Sequence, residues 1–123
     1  MIKRVAIGGC RYYNNYDIFK IQVDYLLQNI KNNYNIIIVS GGATGVDTLA
    51  EQYARDNNYT FELFSADWNR YGKSAGPRRN EQMVQASDFV IAFWDYNSRG
   101  TKSLIDFAKQ YNRPLRIKDI RKL

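Results

Sequence analysis

The stretch Ile36-Ile37-Ile38-Val39-Ser40-Gly41-Gly42-Ala43-Thr44-Gly45-Val46-Asp47 decides the fold. An unbroken apolar run is what a strand buried on both faces requires, and the glycines behind it end that strand in a tight turn. From about Thr44 the spacing becomes helical, with Val46, Leu49, Ala50, Tyr53 and Ala54 on the inward side. A buried strand, a glycine turn and a helix N-terminus together make a ready anion cradle. The backbone can approach a phosphate closely, and the unpaired amides of the first helical turn point at it.

Outward from this junction the same alternation repeats. Strands are predicted at residues 4–8, 35–40, 60–64, 88–94 and 114–117. Helices are predicted to begin near Asp17, near Thr44, behind Pro77, and near Ser98 or Arg99. The first should bury Phe19, Val23, Leu26 and Ile30 and end at Asn32-Asn33, and the second should close at Asp56-Asn57-Asn58. The third should bury Met83, Val84 and Ala86, and the fourth Leu104, Ile105, Ala108 and Tyr111. Residues 65–76 form the one long irregular segment. The pattern is α/β, a three-layer sandwich: a parallel sheet of about five strands with helices on both faces. Residues 1–123 make one domain, and the proline before the last strand places that strand at a sheet edge.

Composition removes whole classes of chemistry. There is no histidine and one cysteine, Cys10, so a Ser-His-Asp triad, a Cys-His pair, a disulfide framework and a cysteine-rich zinc site are all excluded. Cys10 itself reads as a small packing residue, and no metal ligand set is expected. The net charge of +6 favours acidic partners such as nucleotides or nucleic acid, although much of it sits in a basic tail that solvent alone would satisfy. No apolar run reaches the roughly 20 residues of a membrane span, and the N-terminus reads as a strand rather than a signal sequence. A cytoplasmic protein without a membrane partner is the expectation.

In parallel sheets ligands sit beyond the carboxyl ends of the strands. The candidate residues fall in those segments: Gly9 and Arg11; Ser40, Gly41, Gly42, Ala43, Gly45 and Asp47; Trp68, Tyr71, Lys73, Gly76, Arg78, Arg79 and Asn80; Asp95, Ser98, Arg99, Gly100, Thr101 and Lys102. Asp47 can accept from a ribose or order the glycine turn. Arg78 and Arg79 lie at a helix N-terminus, where cations are disfavoured, which points to a bound anion. Arg79 is the leading candidate, as a planar fork on phosphate or carboxylate. Trp68 and Tyr71 either cap the sheet or stack on a base. The Thr101 hydroxyl and nearby backbone amides can hold a phosphate while Ser98 or Thr101 caps the last helix, and the two roles are compatible. Neither the dinucleotide fingerprint nor the P-loop is present.

Taken together, the Gly-Gly-Cys-Arg, Ser-Gly-Gly-Ala-x-Gly-Val-Asp-x-Leu-Ala, Asp-Trp-x-x-Tyr-Gly-Lys-x-Ala-Gly-x-x-Arg-Asn-x-x-Met and Phe-Trp-Asp-x-x-Ser-Arg-Gly-Thr-Lys motifs resemble the YspA-like SLOG family. That resemblance implies a Rossmann-like domain and a relationship to the Lonely Guy phosphoribohydrolases, the molybdenum-cofactor carriers and DprA. It also implies a nucleotide or nucleotide-derived ligand, and membership in a family found in phage genomes. By position, Arg79 and Met83 resemble the Arg-x-x-x-Met element of the Lonely Guy enzymes, in which the arginine is catalytic. The Pro-Gly-Gly of their second motif is replaced here by Asn97-Ser98-Arg99, and Lys102-Ser103-Leu104 supplies no glutamate.

The first expectation is therefore a sensor, carrier or sequestering protein for a mononucleotide, cyclic nucleotide or ADP-ribose-like ligand, requiring no further cofactor. The enzymatic alternative is cleavage of a nucleotide N-glycosidic bond, with Arg79, Asp95 and Asp47 as candidate catalytic residues. DprA-like DNA binding ranks third. A homodimer or higher homo-oligomer is expected from the resemblance.

Overall fold

A computed structural model describes the whole chain, Met1–Leu123. Five parallel strands form its centre: β1 (Ile2–Gly9), β2 (Asn35–Ser40), β3 (Thr60–Leu63), β4 (Phe89–Trp94) and β5 (Leu115–Asp119). Their order is β3-β2-β1-β4-β5, which puts β1 in the middle and β5 at an edge. The helices are α1 (Tyr16–Leu27), α2 (Val46–Asp56), the single turn α3 (Trp68–Tyr71), α4 (Ala75–Ala86) and α5 (Arg99–Gln110). A doubly wound parallel sheet of this order changes direction beside β1, and the β1–α1 and β4–α5 loops flank the crevice at that point.

Strand alternation divides the core in two. Val5, Ile7, Ile36, Ile38, Ile91 and Phe93 face α1 and α2, where they pack with Phe19, Val23, Leu27, Leu49 and Tyr53. Ala6, Ile37, Val39 and Val90 face α4 and α5, where they meet Met83, Val84, Leu104 and Ala108. Because both faces are covered, β2 and β4 read as continuous apolar runs, whereas the edge strands β3 and β5 carry Glu62 and Arg116, Lys118 and Asp119. No helix is long and apolar enough to cross a membrane.

Several boundaries differ from the sequence expectation. α1 ends at Leu27, and Leu27 takes the fully buried place expected of Leu26; Leu26 and Ile30 are only half-buried. Asn15 sets the start by accepting the Ile18 amide at 3.1 Å. α4 begins at Ala75, ahead of Pro77, and its last residue Ala86 is exposed where burial was expected. The irregular segment contains α3 and a 3-10 turn at Gly72–Ser74; the Asp67 side chain caps α3 by accepting the Arg70 amide at 3.1 Å.

Candidate functional site

A cleft of about 330 Å³ opens at the carboxyl ends of the strands. Its floor is the end of β1, Gly8 to Cys10, with Met83 and Leu104. Of the residues singled out by sequence, Gly9, Arg11, Ala43, Asp47 and Arg79 line it, together with Asn80, Ser98, Arg99, Gly100 and Thr101. Three separate loops and α4 thus converge on one space. Three arginines, Arg11, Arg79 and Arg99, and one carboxylate residue, Asp47, border the cleft, and the charge of Arg79 acts on Asp47.

Arg79 is half-buried and held in place: Nη1 donates to the Gly41 carbonyl at 2.6 Å and Nε to Asn80 Oδ1 at 3.0 Å. No carboxylate lies within ion-pairing distance of it; the five ion pairs of the protein involve other residues. Burial lowers its pKa, opposed by the charge of Asp47 and reinforced by Arg11. Asn80 is committed to the scaffold, its amide donating to the Gly100 carbonyl at 3.2 Å and so tying α4 to α5.

The N-terminus of α5 forms another wall. Ser98 is its N-cap position, and the amides of Arg99, Gly100 and Thr101 carry no hydrogen bond within the protein. Thr101 is 4% exposed, lines the cleft, and its hydroxyl has no protein partner. Asp47, in the first turn of α2, is 7% exposed. Its Oδ2 accepts the Ala43 amide at 3.1 Å, so it does order the glycine turn. Burial pushes its carboxyl pKa up, against the pull of that amide, of Arg79, and of the Ser40 hydroxyl and Gly41 amide.

The glycines serve the protein's own packing. A Cβ at Gly41 would collide with the Arg79 guanidinium, and one at Gly45, where φ is +74°, with the backbone carbonyl groups of Cys10 and Arg11. A Cβ at Gly42 would lie 2.7 Å from Leu63 Cδ1, so this glycine faces β3 rather than the cleft. Ser40 is buried and donates to the Ile7 carbonyl at 2.8 Å, joining β2 to β1.

Other candidates stand outside the cleft. Asp95 is spent on its own loop: it accepts the Ser98 amide at 2.7 Å, the Asn97 amide at 2.8 Å and the Tyr12 hydroxyl at 2.7 Å. These donors, the Ser98 amide foremost, hold its carboxyl well below the ordinary range, which removes it as a proton donor. Lys102 pairs with Asp106 at 2.7 Å along the exposed face of α5. Arg78 lies over the Tyr71 ring at 4.3 Å from its centroid, and Arg70 at 5.0 Å from the same ring. Trp68 is half-exposed and shields Gly76, whereas Lys73 is exposed on the 3-10 turn.

Sequence reasoning missed Tyr12, which lines the cleft beside Arg11 while its hydroxyl reaches Asp95. That bond lifts its own pKa to about 12. The signal was its position directly behind Gly9-Cys10-Arg11. Cys10, read as packing, is buried as expected, yet also borders the cleft, with Sγ 3.2 Å from Ser98 Oγ. Beyond β4, Tyr96 takes a positive φ of 64° and stacks on Trp94 at 4.4 Å, and Arg121 lies over it at 4.7 Å.

Comparison with known proteins adds family and fold. The model of the YspA, cpYpsA-related SLOG family matches residues 3–71. The Gene 61 protein of Mycobacterium phage D29 is 33% identical over 121 residues, covering 93% of this chain and 94% of the phage protein. Among solved structures, DNA processing protein A of Helicobacter pylori, described for its single-stranded DNA binding mode, aligns with a TM-score of 0.70 at 24% identity, over 98% of this chain and 71% of that one. DprA of Streptococcus pneumoniae aligns with a TM-score of 0.72 at 20% identity, over 94% of this chain and 50% of that one. At these identities the structural likeness is one of fold.

Proposed function

Because the chain belongs to the YspA, cpYpsA-related SLOG family, we propose that its cleft binds a phosphorylated, nucleotide-type small molecule. Arg79 carries this reading. A half-buried guanidinium fixed by neutral acceptors, with no carboxylate in ion-pairing distance, is a cation left for an anion from outside. The free amides of α5, the Thr101 hydroxyl and Arg99 border the same space. A phosphate seated there would accept from the helix terminus and from the unused N–H groups of Arg79. The volume falls at the small end of the roughly 300–1,000 Å³ typical of ligand pockets, which suits a mononucleotide.

Such a site serves a sensor, carrier or sequestering protein. For N-glycoside cleavage Asp47 is the one carboxylate bordering the cleft, since Asp95 is withdrawn into its loop. Calorimetry against mononucleotides, cyclic nucleotides and ADP-ribose, with chromatography of the same mixtures for free base, tests both. Micromolar binding that weakens with salt is expected, and no binding below millimolar refutes the reading. Release of free base, lost in Asp47→Asn, would make the protein a hydrolase.

A second reading, single-stranded nucleic acid, is favoured by exposed Tyr12, Trp68 and Tyr96, with Arg121 over the Tyr96 ring and Arg70 over the neighbouring Tyr71. It also fits the DNA binding described for the Helicobacter pylori protein of like fold. Contacts to several phosphates would give a much steeper salt dependence than one mononucleotide does.

A further inference from the structure

Resting on that reading, the geometry points to Asp47 as the seat of a ribose hydroxyl, so that the cleft selects ribonucleotides over their deoxy counterparts. Asp47 is more than nine-tenths buried and still borders the cleft. Its Oδ2 accepts the Ala43 amide at 3.1 Å, whereas no donor meets hydrogen-bond geometry at Oδ1. The Gly41 amide and the Ser40 hydroxyl, itself given to the Ile7 carbonyl, act on the carboxyl more weakly, and Asp47 enters no ion pair. The bare end of β1 leaves that oxygen uncovered: a Cβ on Gly8 would stand 3.8 Å from it.

A carboxylate oxygen only accepts, so the guest must bring a donor. With Oδ2 occupied, the paired acceptors that a guanine edge or a guanidinium would engage are not on offer, and a single hydroxyl fits the one free oxygen. Asn80 cannot take this part, because its amide is spent on Gly100 and Ser103 and its oxygen on Arg79. The anion-seeking groups stand on α4 and α5, while this acceptor stands on α2. The guest therefore carries a negative group and a hydroxyl donor on one compact frame. A ribose 5′-phosphate with its 2′- and 3′-hydroxyls has that chemistry, and a dideoxyribose lacks the donor.

The test compares AMP, GMP, CMP and UMP with their 2′,3′-dideoxy counterparts, by calorimetry or amide-shift titration of the wild-type protein. Ribonucleotides should bind at least about tenfold tighter, because losing the hydroxyl leaves a buried carboxylate unpaired. Asp47→Asn should weaken ribonucleotide binding and bring the ratio to within about threefold. Dideoxynucleotides should bind this variant no more weakly than they bind wild type, because the substitution removes a negative charge that acts on Arg79, and a cooperative thermal unfolding curve reports the intact fold. Should Asp47→Asn fail to fold, the wild-type ratio still decides. Equal affinity for both sets in the wild type, or a wild-type ratio retained by Asp47→Asn, overturns the assignment and leaves the phosphate seat standing. Binding of neither set overturns the reading beneath it.

Discussion

Replacing Arg79 by methionine separates what this residue does for the fold from what it does for a ligand. Methionine keeps an apolar stem and removes the guanidinium, which orphans the Gly41 carbonyl and Asn80 Oδ1, now served at 2.6 and 3.0 Å. Hydrogen bonds from a charged donor contribute about 1.5–3 kcal/mol each, a gross loss of roughly 3–6 kcal/mol. Against this stands relief of a half-buried cation with no ion pair, an effective penalty of several kcal/mol at full burial and about half that here. With that relief at about 2 kcal/mol, the net destabilisation should be about 1–4 kcal/mol, a fall in Tm of roughly 3–15 °C for a domain of this size. Phosphate binding has no such compensation. Losing one charge-assisted contact should weaken any phosphorylated ligand by about 10- to 100-fold. Arg79→Lys should recover part of the affinity but not the fold contact, since one ammonium cannot bridge Gly41 and Asn80 as the planar fork does. Scanning calorimetry and ligand titration on the same samples read the split. Affinity within about threefold of wild type in Arg79→Met refutes the claim that the free N–H groups face an anion.

Gly45→Ala forces a side chain into a glycine-only backbone region against the carbonyls of Cys10 and Arg11, and should cost at least about 2–3 kcal/mol in urea unfolding. Gly100→Ala meets nothing within 4 Å and should stabilise α5 by about 0.5–1 kcal/mol; a Tm drop there would contradict the open geometry. Asp47 has a raised folded pKa, so its contribution is greatest below about pH 4 and is lost as pH rises through the elevated value. Asp47→Asn should remove that decline, and stability measured from pH 4 to 8 checks it. Asp95 has a depressed folded pKa, so its contribution is present above about pH 4 and is lost as pH falls below it. Asp95→Ala should lose about 1 kcal/mol at neutral pH and flatten the acid limb of the same profile.

The sheet was readable because burial on both faces writes itself as apolar runs; β2 occupies Asn35–Ser40 as expected. The cleft's location was readable too, because turns at strand ends need glycine and polar residues. What a polar side chain spends its hydrogen bonds on was not readable, because that depends on partners far away in sequence. Arg79 reaches back to Gly41, and Tyr12 reaches Asp95. Glycines expected to admit a phosphate instead admit Arg79, Leu63 and the backbone at Cys10 and Arg11. The i,i+4 pairing of Lys102 with Asp106 was local and could have been anticipated from helical spacing alone.

With β1 between β2 and β4, the central strand gains its second neighbour only when residue 89 is reached. During synthesis a chain released as far as α3 can form β3-β2-β1, but it presents the whole far side of β1 as an unpaired template for other strands. Truncations that stop there should therefore aggregate rather than persist as a half-domain. The crevice shares this dependence: one wall is laid down with the first strand, and the facing wall arrives only with the last third of the molecule.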